Sequence, residues 1–146
     1  MPAHVRAQIR AKIVEALQGL PTTGANVFPG RTRPLGDAHA PTLLVYVTTE
    51  QSDNDAMGGV LGRILNVVVE GRVIMADVPD DTLDTIAKEV EPAMVARPLL
   101  GGLVKEVTLI STAIQTQAPG QSHAGEVVMK FRVQYRTLET APDTAI

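Results

Sequence analysis

The sequence predicts an α+β fold: a mostly antiparallel sheet of about four to five strands with two helices packed on one face. Residues 126–137 are the clearest part of that prediction. There Val127, Met129, Phe131, Val133 and Tyr135 alternate with Glu126, Lys130, Arg132, Gln134 and Arg136, and only Val128 interrupts the polar side. Period two is the mark of a strand with one face on a core. Two other stretches repeat apolar residues at spacings of three and four, which makes amphipathic helices. The implied order is helix, strand, loop, strand, helix, strand, strand. Hairpin-type connections between the strands favour antiparallel pairing, and two helices suffice to cover one side.

The first helical stripe is Val5, Ile9, Ile13, Ala16, Leu17 and Leu20, with Pro2 suited to the start and Gly19 and Pro21 to the stop. Residues 21–41 hold prolines and glycines at seven positions (Pro21, Gly24, Pro29, Gly30, Pro34, Gly36 and Pro41), with Val27-Phe28 as a short strand candidate. Arg31 and Arg33 sit on this stiffened connection, whose length suggests that it binds something. Leu43, Leu44, Val45, Tyr46 and Val47 form a buried strand within residues 42–49. Residues 50–62 are polar and glycine-rich, including Asp53, Asp55, Gly58 and Gly59, and read as a mobile hairpin loop. Residues 63–76 then form one long bent strand with Leu65, Val67, Val69, Val73 and Met75 inward, and Gly71 marks a bulge or tight turn.

Asp80 or Asp81 is expected to cap the second helix, whose inner stripe is Leu83, Ile86, Ala87, Val90 and Met94. Pro92 falls inside it and Pro98 ends it. Gly101-Gly102 leads into a strand over residues 103–116, with Val107, Leu109, Ile110 and Ile114, and a loop at 117–125 joins it to the alternating strand. Residues 1–137 thus read as one domain, and residues 138–146 as a short flexible C-terminal tail.

Composition narrows the function classes. Of the 146 residues, 45% are hydrophobic and 3% aromatic, so the core is built from aliphatic side chains. A net charge of −3 and scarce aromatics disfavour nucleic-acid reading, which relies on basic patches and stacking. The absence of cysteine removes thiolate nucleophiles, disulfides and Cys-ligated metals. The first twenty residues mix charges through their apolar positions, so no signal peptide is expected, and no apolar run approaches a membrane span.

No catalytic constellation stands out. His4, His39 and His123 are far apart, and Asp37-x-His39 lies in a loop without a visible supporting shell. The run from Asp53 places Gly58 at the sixth position of a calcium loop, but Met57 at the fifth and Ile64 at the twelfth are not ligands. Phosphate-loop and nucleophile-elbow motifs are absent. No catalytic residue, metal or cofactor is expected.

A series of short motifs, in order, does carry a resemblance. These are His-Val-Arg-Ala-Gln-Ile-Arg at 4–10, Leu-Gln-Gly-Leu at 17–20, Val-Phe-Pro-Gly-Arg at 27–31 and Pro-Thr-Leu-Leu-Val-Tyr at 41–46. The acidic helix at 80–91 and Phe-Arg-Val-Gln-Tyr-Arg-Thr at 131–137 complete it. Together they resemble the tail terminator proteins of long-tailed bacteriophages, the minor tail protein U type. The resemblance implies a structural, non-enzymatic virion protein of the neck region, assembled in the host cytoplasm. It implies a ring, typically of six copies, that caps the tail tube, stops its polymerisation and offers a joining surface to the head connector or adaptor. DNA would pass through the channel without being read, and no membrane is involved. Other readings are a different neck protein (a head–tail adaptor or tail completion protein), a tail tube protein, or a small-molecule-binding α+β domain. The candidate interface residues are Arg31, Arg33, Asp53, Asp55, Arg132 and Arg136, with opposite charges meeting between neighbouring copies.

Overall fold

The computed structural model describes residues 2–32, 41–118, 120 and 122–146. Two helices, α1 (Val5–Leu17) and α2 (Asp80–Met94), lie with six strands: β1 (Val27–Pro29), β2 (Thr42–Ala56), β3 (Val60–Met75), β4 (Glu106–Gln117), β5 (His123–Leu138) and β6 (Ala141–Ala145). The sheet order is β1-β2-β3-β5-β4, with β6 also on β5, so the fold is α+β with slightly more strands than expected. All pairings are antiparallel except β1 with β2, which is parallel.

The alternation of β5 survives intact. Val127, Met129, Phe131, Val133 and Tyr135 are buried, while Lys130 and Arg132 face out and are exposed. Odd-numbered residues of β3 share that inner face, because Leu65, Val67 and Val69 stand opposite Val133, Phe131 and Met129. Both helices cover this one face: Val5, Ile9, Ile13 and Leu17 of α1 and Leu83, Ile86, Val90 and Met94 of α2 join the same apolar cluster. Ala16, assigned above to the α1 stripe, is exposed, and Leu20 is only partly buried.

Several local expectations are corrected. Residues 50–62 form no loop: β2 runs on to Ala56, β3 begins at Val60, and Met57-Gly58-Gly59 make the turn. Both glycines there have positive φ, which a side chain resists. The hairpin projects beyond the helix layer as an arm, with Met57 97% exposed at its tip. Gly71 is neither bulge nor turn. A Cβ there would lie 3.0 Å from Ile86 Cγ2 and 3.0 Å from Val127 Cγ1, so the glycine lets α2 approach the sheet. Gly125 does the same further along, where a Cβ would meet Pro79 Cγ at 2.8 Å.

The cap of α2 is Pro79, with no side-chain hydrogen bond, so Asp80 and Asp81 act through the helix dipole alone. Pro92 is accommodated within the helix. A 3-10 turn at Leu99–Gly102 precedes β4, which starts at Glu106, later than expected. Ile110 and Ile114 of that strand are 52% and 46% exposed. The C-terminal tail carries the short strand β6. β6 takes the β5 edge above the start of β4, Ile146 N–H donates to Arg136 O, and Gln8 Nε2 donates to Asp143 O at 2.9 Å. Proline within β6 is tolerated because that strand lies on an edge.

Candidate functional site

Two polar clusters stand out. The first cluster lies at the root of the arm. A register shift between Val47 and Thr49 changes which residues of β2 face inward, and Glu50 comes to sit opposite Leu65 on the helix side. Its carboxylate, 9% exposed, accepts from Arg6 at 2.6 Å, from Arg63 at 3.1 Å and from the Tyr135 hydroxyl. Arg63 Nε in turn donates to Thr137 Oγ1 at 3.1 Å. One acid thus joins α1, β2, β3 and β5. Burial, then the bond to Glu50, pushes the Tyr135 hydroxyl well above the ordinary phenol range, against the pull of Arg63 and Arg6. His4 caps α1 by accepting from Arg6 N–H at Nδ1, 3.0 Å away. Burial, then Arg6 and Arg63, lowers its pKa, which keeps the imidazole neutral for that role.

The second cluster lies on the sheet face away from the helices. Tyr46 OH donates to Glu70 Oε1 at 3.0 Å, and Arg72 donates to the other oxygen of Glu70. Arg31 lies over the Tyr46 ring, 4.5 Å from its centroid, a cation–π contact. Burial, followed by Glu70, raises the Tyr46 pKa.

The predicted interface residues therefore fall into different settings. Arg31 is held on Tyr46, and Arg33 lies outside the described residues, as do Asp37 and His39. Arg136 Nε lies 2.8 Å from Asp55 Oδ2 of the same chain, an ion pair out of line for a hydrogen bond. The structure thus brings Arg136 and Asp55 together within one copy. Asp53 and Arg132 are exposed and take no ion-pair partner among the described residues, and neither does Lys130 beside Arg132. Glu50, Arg6 and Arg63 were not anticipated. A lone acid in a polar run looks solvated, and only the shifted register reveals it.

Among the described residues no group of three His, Asp or Glu side chains is placed to hold a metal ion. A groove of about 330 Å³ at the foot of the sheet is lined by Arg72, Ile74, Gln115, Gln117 and Glu126, without a nucleophile paired to a base. Among the described residues no helix is long and apolar enough to cross a membrane.

No curated protein matches this sequence. A chain in the virion of a native gene transfer agent (GTA) particle is similar in structure, at 17% identity and a TM-score of 0.48, over 90% of this chain and 92% of that one. The family described as phage minor tail protein U matches residues 4–135, nearly the whole chain, and the protein belongs to that family of phage tail structural proteins.

Proposed function

We propose that the protein is a tail terminator: a ring of about six copies that caps the tail tube, stops its polymerisation and offers a surface for head joining. The single observation that carries this reading is the family match over residues 4–135. The chemistry supports it in kind. The polar clusters tie elements of one chain together and the other charges among the described residues lie at the surface, as in a subunit that acts by contact and not by catalysis. In this reading the tail tube protein and the head connector or adaptor are the partners, no cofactor is needed, and the site of action is the neck of the virion. The net charge of −3 per copy keeps the ring acidic, so DNA in the channel is not held by counterion release. Among the described residues, Asp53, Lys130 and Arg132 are exposed charges without an ion-pair partner, which suits contacts with neighbours or partners.

Native mass spectrometry of the purified protein, alone and with tail tubes, tests the ring. Electron microscopy of tails assembled without the protein tests capping. The expected results are a closed oligomer of about six copies and tails of uncontrolled length that fail to join heads. A protein monomeric in both settings, or tails of normal length in its absence, would overturn the reading. Tails of normal length that cannot join heads would instead indicate an adaptor.

A further inference from the structure

The sheet ends on one side in β4, and this edge is unusual. β4 is twelve residues long, and residues 107–117 carry no charge and no proline. From residue 110 onward its side chains are exposed on both faces. Sheets ordinarily guard a free edge with lysine, proline, a bulge or short length, because unpaired N–H and C=O groups recruit another strand. Here the one irregularity falls between Leu109 and Ser111, and residues 111–117 are left as a regular template. The opposite side of the sheet offers a match. β1 covers only residues 43–45 of β2, so among the described strands residues 46–56 of β2 are paired on the β3 side alone.

We propose that β4 of one copy pairs with the outer edge of β2 of the next copy, joining the sheets head to tail around the ring. This rests on the ring reading above and names its contact. Strand direction favours it. Three successive antiparallel pairings make β4 run opposite to β2, so a neighbour in the same orientation presents β2 antiparallel to β4. Repeating such a heterologous contact about an axis closes a ring.

Charge selects the register. Lys130 and Arg132 stand free on the outer face of β5, opposite Ser111 and Thr108 of β4. Asp53 lies on the same face of the arm, opposite Gly62, whose other neighbour is Arg136. Setting Asp53 of one copy opposite Ser111 of the next brings the acid beside the unpaired cations, one strand away. The same register lays the unbroken stretch 49–53 of β2 along 115–111 of β4. It leaves β1 end to end with the incoming strand. The stagger it imposes between copies is what a closed sheet with tilted strands requires.

The chain has no cysteine, so engineered pairs report cleanly. In this register Gln51 faces Ala113, and both are exposed. Mixing Gln51→Cys protein with Ala113→Cys protein under mild oxidation should yield the crosslinked heterodimer, and the double variant a covalent ladder ending at the ring. Ser111→Asp should lower ring abundance about tenfold or more at low salt, since it sets like charges together across the interface. Adding Asp53→Lys should restore it. Ala113→Cys crosslinking to itself as fast as the mixture would replace the proposal with a twofold β4–β4 contact. Rings intact by native mass spectrometry but never crosslinked would place the contact elsewhere and leave the terminator reading standing. Absence of any wild-type ring would remove both.

Discussion

The two ends of the sheet are held by different physics. Under the helices, β3 and β5 present aliphatic and aromatic side chains to α1 and α2, and cohesion there comes from apolar area removed from water. At the arm root the same inner face carries Glu50, Arg63, Tyr135 and Thr137, closed by Arg6 from α1. Apolar packing is tolerant of direction, whereas a buried carboxylate with three fixed donors is not. Such networks seldom add net stability over an apolar replacement, but removing one member leaves a charge stranded. The body of the sheet therefore supplies cohesion, and the root sets the angle at which the arm leaves it.

The contrast can be broken at either end. Phe131, fully buried among the helices, should show the largest effect: Phe131→Ala is expected to cost about 3–5 kcal/mol in chemical denaturation. Glu50→Ala should cost about 3 kcal/mol by leaving Arg63, 9% exposed, without its anion. The double variant Glu50→Ala with Arg63→Ala should lose less than the sum of the single losses, since neither charge is then stranded. Additive losses would mean that the root is held by packing, like the body.

Gly125→Ala tests the body in the opposite sense, by crowding. Its Cβ would meet Leu83 Cδ1 at 2.9 Å as well as Pro79, and a loss of about 1–3 kcal/mol should appear as a lower melting temperature. Beyond the root, the arm contributes little to the monomer. Asp53→Asn should change stability by less than about 0.5 kcal/mol while altering assembly.

The smallest effect is a pH dependence at α1. His4 has a folded pKa lowered from 6.5, so its contribution is fully present above that value and is lost as pH falls through the lowered one. His4→Asn keeps a good cap and should flatten that part of the stability–pH curve, as read by melting temperature from pH 8 to pH 5.

Where burial alone decides structure, the sequence was legible. The stripes of α1 and α2 and the alternation of β5 were read directly from apolar spacing, and each faces the core as expected. The arm was not legible. Asp53, Asn54, Asp55, Gly58 and Gly59 have turn chemistry, and strand propensity yields to pairing context when a partner strand lies alongside. β2 gains that partner from β3, and β3 is flanked by β5 as far as Val60. The candidate interface was read as opposite charges that meet between neighbouring copies. Arg136 and Asp55 neutralise each other across the arm, a pairing that only the register of three strands brings about.

β3 is bonded to β2 along one side and to β5 along the other for nearly all of its sixteen residues. At about 3.4 Å per residue it is a beam of roughly 50 Å, three strands wide almost to its tip. Its far end is seated where Gly71 lets Ile86 of α2 rest on the backbone. A load applied at Met57 therefore has no soft ribbon in which to dissipate, and it arrives at the α2 seat as torque. Whatever engages the tip takes hold of a lever whose fulcrum is the buried ion cluster around Glu50.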